Sequence, residues 1–114
     1  MKALNVTRGT VLGVNIQTAR GFFGRMIGLL GKNRLDEGEG LWISPCSSIH
    51  SIGMRFVFDA LFLGSDGKIL RLHEGFRMNR VSGVVRNACG VLELPAGTIR
   101  RTGSAVGDEI RLEP

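Results

Sequence analysis

The sequence predicts a mainly β fold: a compact β-sandwich or partly closed barrel of short strands, with one amphipathic helix at about residues 18–30 packed on it. Three observations carry this. Glycine is the main punctuation, 17 residues against three prolines, which suits short strands joined by tight turns. Brief β-favouring apolar segments recur between those glycines. Only residues 18–30 hold apolar side chains at helical spacing.

The elements follow in order. Residues 3–7 and 11–17 are short strands, rich in Val and Ile, with Arg8-Gly9-Thr10 turning between them as an opening hairpin. Thr18 is placed to cap the helix with its hydroxyl. Ala19, Phe22, Phe23, Met26, Ile27 and Leu30 then give one apolar face, and Gly31 sits at the C-cap. Gly21, Gly24 and Gly28 lower the intrinsic helix propensity by about 0.8–1 kcal/mol each, so packing must hold this helix. Residues 32–40 are a polar loop, and Leu41-Trp42-Ile43 is a strand ended by Ser44-Pro45. Residues 58–63 and 69–73 are strands flanking Asp66-Gly67, a hairpin signal for a type I′ turn. Residues 75–86 are basic and irregular, with Val84-Val85 as a short edge strand. Residues 88–94 read as a buried strand, 98–102 as one helical turn and 109–112 as a last strand.

One domain spans residues 1–114, because a division would leave neither half a sizeable core. A hydrophobic content of 43% argues for a folded chain over a disordered one. No apolar run approaches the ~20 residues needed to cross a bilayer, and residues 1–8 lack the apolar core of a signal peptide. The expectation is therefore a cytoplasmic protein with no membrane partner, in which Cys46 and Cys89 are reduced thiols. The formal net charge is +5. Seven basic residues fall within 68–101, opposed there by Glu74 and Glu93 alone. Such a bias attracts anionic partners, although a solvated arginine-rich surface is the simpler reading.

The densest chemistry lies in residues 46–59, Cys-Ser-Ser-Ile-His-Ser-Ile-Gly-Met-Arg-Phe-Val-Phe-Asp. In an extended segment His50, Ile52, Met54, Phe56 and Phe58 share one face, and Ser51, Arg55, Val57 and Asp59 the other. Gly53 is placed to bulge that alternation. Glu93 lies in the apolar run 91–97, where a carboxylate needs a partner or an opening to water.

Cys46, His50, Arg55, Asp59 and Glu93 are therefore the candidate ligand-binding residues. The leading expectation is a non-enzymatic binding domain for a small polar or anionic ligand, with Arg55 favouring an anion. One alternative is a Cys/His hydrolase or metal-dependent enzyme built on Cys46 and His50. Its spacing, Cys-x-x-x-His, matches no diagnostic metal motif, and neither a metal nor a cofactor is expected. A second alternative is an interaction module using the basic surface. A structural network, with Arg55 paired to Asp59 and His50 bonded in the core, competes with all three. Nucleic acid is not the expected partner, because stacking residues are scarce and no recognition motif occurs.

In combination, these segments resemble a family, domain of unknown function 192, of small bacterial and archaeal proteins. The resemblance rests on Arg25-Met26-Ile27-Gly28-Leu29-Leu30, on residues 45–56 from Pro45 to Phe56, and on Asp59-Ala60-Leu61-Phe62-Leu63. Val91-Leu92-Glu93-Leu94-Pro95-Ala96-Gly97 and Gly107-Asp108 complete it. Ser51 stands where the family often has threonine, and Gly64 where an aspartate is frequent. The resemblance implies a β-sandwich-like fold with small helical pieces and no established activity. Some similar proteins look exported, and this chain is expected to lack their leader.

Overall fold

A computed structural model of the chain describes residues 1–19 and 34–114. Among the described residues, eight strands form two sheets, with one short helix. The strands are β1 (Lys2–Asn5), β2 (Thr10–Gly13), β3 (Asn15–Ala19), β4 (Glu39–Ile43), β5 (Phe58–Leu63), β6 (Ile69–Phe76), β7 (Gly90–Pro95) and β8 (Ile110–Glu113). The small sheet has the order β2-β1-β8 and the large sheet β3-β4-β7-β5-β6. All neighbours are antiparallel except β3 and β4, which run parallel. The mainly β architecture is the one the glycine-punctuated sequence predicts, as a sandwich rather than a closed barrel. The short helix, Thr98–Thr102, is the expected helical turn.

Four local expectations change. Thr18 and Ala19 do not open a helix; they end β3, paired with Trp42 and Ile43. The rest of the predicted helix lies outside the described residues. Residues 11–17 are not one strand. The amides of Val14 and Asn15 both donate to the Gly38 carbonyl, each at 2.9 Å. That shared acceptor diverts the chain from the small sheet (β2) into the large one (β3). The hairpin after β5 forms where Asp66-Gly67 predicts it, but not as a type I′ turn. That turn needs positive φ at both central residues, and of this pair only Gly67 has it, at 81°. Instead Gly67 N–H donates to the Gly64 carbonyl at 3.0 Å, and Asp66 Oδ1 accepts from Lys68 N–H at 3.0 Å. Val84 and Val85 lie outside every strand.

Strand alternation sorts the core into two layers on opposite faces of the large sheet. Leu61, Leu63, Leu92 and Leu94 pack with Ala3, Leu12 and Ile110 of the small sheet and Ile99 of the helix. This is the sandwich face. Ala60, Phe62, Val91, Leu41 and Ile43 point the other way and pack with Ile49, Met54, Phe56 and Val85. Among the described residues, that loop face is covered by irregular chain instead of a second sheet. On its β6 side, His73 packs edge-on to Phe62 and Phe76. Burial, and secondarily the Arg71 charge, holds its pKa below that of an ordinary histidine.

Gly90 is where β7 meets Trp42. A Cβ there would overlap the Trp42 Cζ2 and Cη2 atoms and stand 2.9 Å from the Ile43 carbonyl oxygen. The indole occupies the space a side chain would need, so glycine is a packing requirement at this position.

Candidate functional site

The segment before β5 begins at the entrance of β7. Ser44 Oγ and Cys46 N–H both donate to the Cys89 carbonyl, at 3.0 and 3.2 Å. Cys46 and Cys89 are therefore backbone neighbours, and both are free thiols. Cys46 Sγ donates to the Ser48 carbonyl at 3.0 Å.

From there the chain runs antiparallel to residues 80–85. Val85 N–H donates to Ser47 O at 2.7 Å, Ser82 N–H to Ile49 O at 2.9 Å and Ser51 N–H to Arg80 O at 2.8 Å. His50 and Val81 form an isolated β-bridge. Ser51 locks the two segments together. Its hydroxyl donates to the Arg77 carbonyl and accepts from Arg80 N–H at 2.9 Å. Its carbonyl accepts from Met54 N–H at 3.0 Å and Asn79 N–H at 3.2 Å. Two turns, 51–54 and 77–80, thus hang on one buried serine. No periodicity in the sequence signals this role; only the hydroxyl among apolar neighbours hints at it.

The resulting loop layer has two sides. Ile49, Met54, Phe56 and Val85 are buried against the large sheet. Ile52, Val57, Met78, Val81 and Val84 are exposed, together with Arg55, Arg77, Arg80 and Arg86. The predicted alternation holds from Met54 to Phe58 and fails before it. Ser51 is buried and Ile52 exposed, because the turn at Gly53, with φ 82°, reverses the inside and outside positions.

The five candidate residues do not form one cluster. Cys46, His50 and Arg55 belong to the loop layer. His50 is half-buried, and its Nδ1 accepts from Ile52 N–H at 3.3 Å. Glu93 is fully buried in β7, directly opposite Ala60 of β5 and Leu41 of β4. It alternates with Leu92 and Leu94, so it faces the loop layer.

Asp59 is the correction. It shares the sandwich face with Leu61 and Leu63, away from Glu93, and is not the partner of Arg55. Its Oδ1 accepts from Gly75 N–H at 2.8 Å and its Oδ2 from Ile99 N–H at 2.9 Å. The helix Thr98–Thr102 starts at Gly97 without a side-chain cap of its own. Asp59 supplies the missing acceptor from a neighbouring strand, which is a structural task.

A second buried polar group went unread in the sequence. Asp108 Oδ2 accepts from Arg8 Nε at 2.9 Å, Asn5 Nδ2 at 3.0 Å and Ala105 N–H at 3.0 Å. The Arg8 hydrogen bond is the main reason its carboxyl stays below the usual carboxylate range. Among the described residues, no three His, Cys, Asp or Glu side chains stand close enough to hold a metal ion.

This arrangement defines a class: a two-sheet β protein whose large sheet carries a small sheet on one face and an arginine-bearing loop layer on the other. The family model of DUF192, described as an uncharacterized ACR, matches residues 3–112, and the chain belongs to that family. No curated protein matches the sequence. Two solved structures share the fold. One, from Sinorhizobium meliloti 1021, is described as a candidate transcription regulator; it is 23% identical, with a TM-score of 0.78, over 96% of this chain and 89% of that one. The other, a protein of unknown function from Novosphingobium aromaticivorans DSM 12444, is 19% identical, with a TM-score of 0.82, over 97% and 82% of the two chains. At these identities the likeness concerns the fold.

Proposed function

We propose that this protein is a non-enzymatic binding module that receives an anionic partner on its loop layer. One observation carries the reading. Residues 46–58 and 75–92 contain no aspartate or glutamate, yet they expose Arg55, Arg77, Arg80 and Arg86 on one layer. A surface of one sign attracts anions over several ångströms and suppresses cationic partners. His50 and Cys46 lie on the same layer, which leaves room for a small polar or anionic ligand as well as a larger one. The enzymatic alternative has less support. Cys46 Sγ and His50 Nδ1 are each engaged with a nearby backbone group in their own loop.

Heparin-affinity chromatography tests this. The triple variant Arg77→Gln/Arg80→Gln/Arg86→Gln is expected to elute at clearly lower salt than the parent protein. Lys2→Gln/Arg101→Gln/Arg111→Gln, with the same charge loss on exposed residues elsewhere, is expected to elute near the parent. Equal shifts in both variants would reduce the layer to general basicity. No retention of the parent at low salt would refute the reading.

A further inference from the structure

The loop layer is apolar as well as cationic. Among the described residues, nine large apolar side chains are exposed, and five of them are Ile52, Val57, Met78, Val81 and Val84. Ile52, Val81 and Val84 are 57%, 65% and 76% exposed, far beyond what packing inside the domain requires. Their placement is not scattered. Ile52 and Met78 sit in the two turns that Ser51 ties together, and Val81 is bridged to His50. Val84 follows Gly83, whose φ of 75° bends the chain there. The same strip carries Arg55, Arg77, Arg80 and Arg86 between the apolar tips.

We infer that the anionic partner is a lipid bilayer surface rich in anionic headgroups, on which the turns bearing Ile52, Met78, Val81 and Val84 insert while the arginines meet the phosphates. This rests on the anion-binding reading above and names its partner. Three features favour a bilayer over an acidic protein. The exposed apolar groups are aliphatic or thioether side chains, whereas protein hot spots favour Trp and Tyr. The layer's own aromatic rings, Phe56 and Phe76, are turned into the core. The apolar groups ride on turns, a form suited to entering the headgroup zone, where buried apolar area and anionic charge add. The expectation of no membrane partner rested on the lack of a spanning stretch, and a protein that lies on a surface needs none.

Cosedimentation with vesicles tests the inference, beside the heparin measurement on the same proteins. The parent protein is expected to pellet with mixed phosphatidylglycerol–phosphatidylcholine vesicles and not with phosphatidylcholine alone. The variant Arg77→Gln/Arg80→Gln/Arg86→Gln is expected to lose about a hundredfold in partition, given the usual attraction per cation near an anionic surface. Ile52→Ser/Val81→Ser/Val84→Ser alters exposed side chains only, so it folds. It is expected to lose vesicle binding and keep heparin binding. Vesicle binding unchanged in this variant would overturn insertion. Heparin binding without any vesicle binding would overturn the bilayer as partner, leave the anionic reading standing and point to a soluble acidic macromolecule. Loss of both in the parent protein would end both.

Discussion

Replacing Asp59 by alanine removes the acceptor of two backbone amides at once. Gly75 N–H and Ile99 N–H bond to separate carboxylate oxygens at 2.8 and 2.9 Å, around a side chain with no exposure. A hydrogen bond to a charged group contributes about 1.5–3 kcal/mol net, and a buried donor left without acceptor costs a similar amount. Two such bonds put the loss for Asp59→Ala at about 3–6 kcal/mol, a large share of the 5–15 kcal/mol typical of a domain. Asp59→Asn keeps one acceptor oxygen but turns an amide donor toward the other backbone N–H, so about half that loss is expected.

Urea denaturation followed by circular dichroism reads the effect. At a slope of about 1–1.5 kcal/mol/M, the alanine variant's midpoint should fall by about 2–6 M with the slope unchanged. Amide exchange should accelerate specifically at Gly75 and Ile99. Heparin retention of Asp59→Asn should match the parent, since the carboxylate lies on the sandwich face. A loss below about 1 kcal/mol, coupled with impaired anion binding, would refute this reasoning and return Asp59 to the binding site.

Two further outcomes are expected. Gly90→Ala forces a methyl group into the Trp42 indole and should cost about 1–3 kcal/mol, seen as a lower melting temperature. Acid should destabilise the fold through Asp108, whose folded carboxyl is held low mainly by Arg8. The unfolded chain takes up its proton first, near pH 4, so this contribution is intact above that pH and is lost as pH falls through the lower folded value. Thermal melts from pH 7 to pH 2 should therefore be flatter for Asp108→Asn, and equally steep curves would remove Asp108 as a cause.

Much of the fold was legible because strands advertise themselves locally. Phe58 to Leu63, Asp66-Gly67 and Val91 to Leu94 carry β propensity, turn chemistry and burial in a few adjacent residues. What stayed hidden depends on contacts distant in the chain. Asn5 and Arg8 meet Asp108 across about a hundred residues, and no pattern near Asp108 announces them. Gly38 splits the expected strand 11–17 from outside that segment. In the site, alternation correctly placed Met54, Arg55, Phe56 and Val57, because that stretch is extended. It misplaced Ile52 and Ser51, because one left-handed glycine reverses the sides. The Arg55–Asp59 pairing failed for a simpler reason. The spacing put both on one face, but Asp59 belongs to a strand whose register is set by β7 and β6, not by the loop before it.

The pairing of β1 with β8, in register from Lys2↔Glu113 to Asn5↔Ile110, sets an order of events for a chain emerging from the ribosome. The large sheet draws its strands from residues 15–95, which leave the ribosome before β8 does. Its sandwich face, Leu61, Leu63, Leu92 and Leu94, then lacks part of its cover. The closing step is a zipper between β1 and β8, and until it runs that leucine face is the surface on which nascent chains would stick to one another.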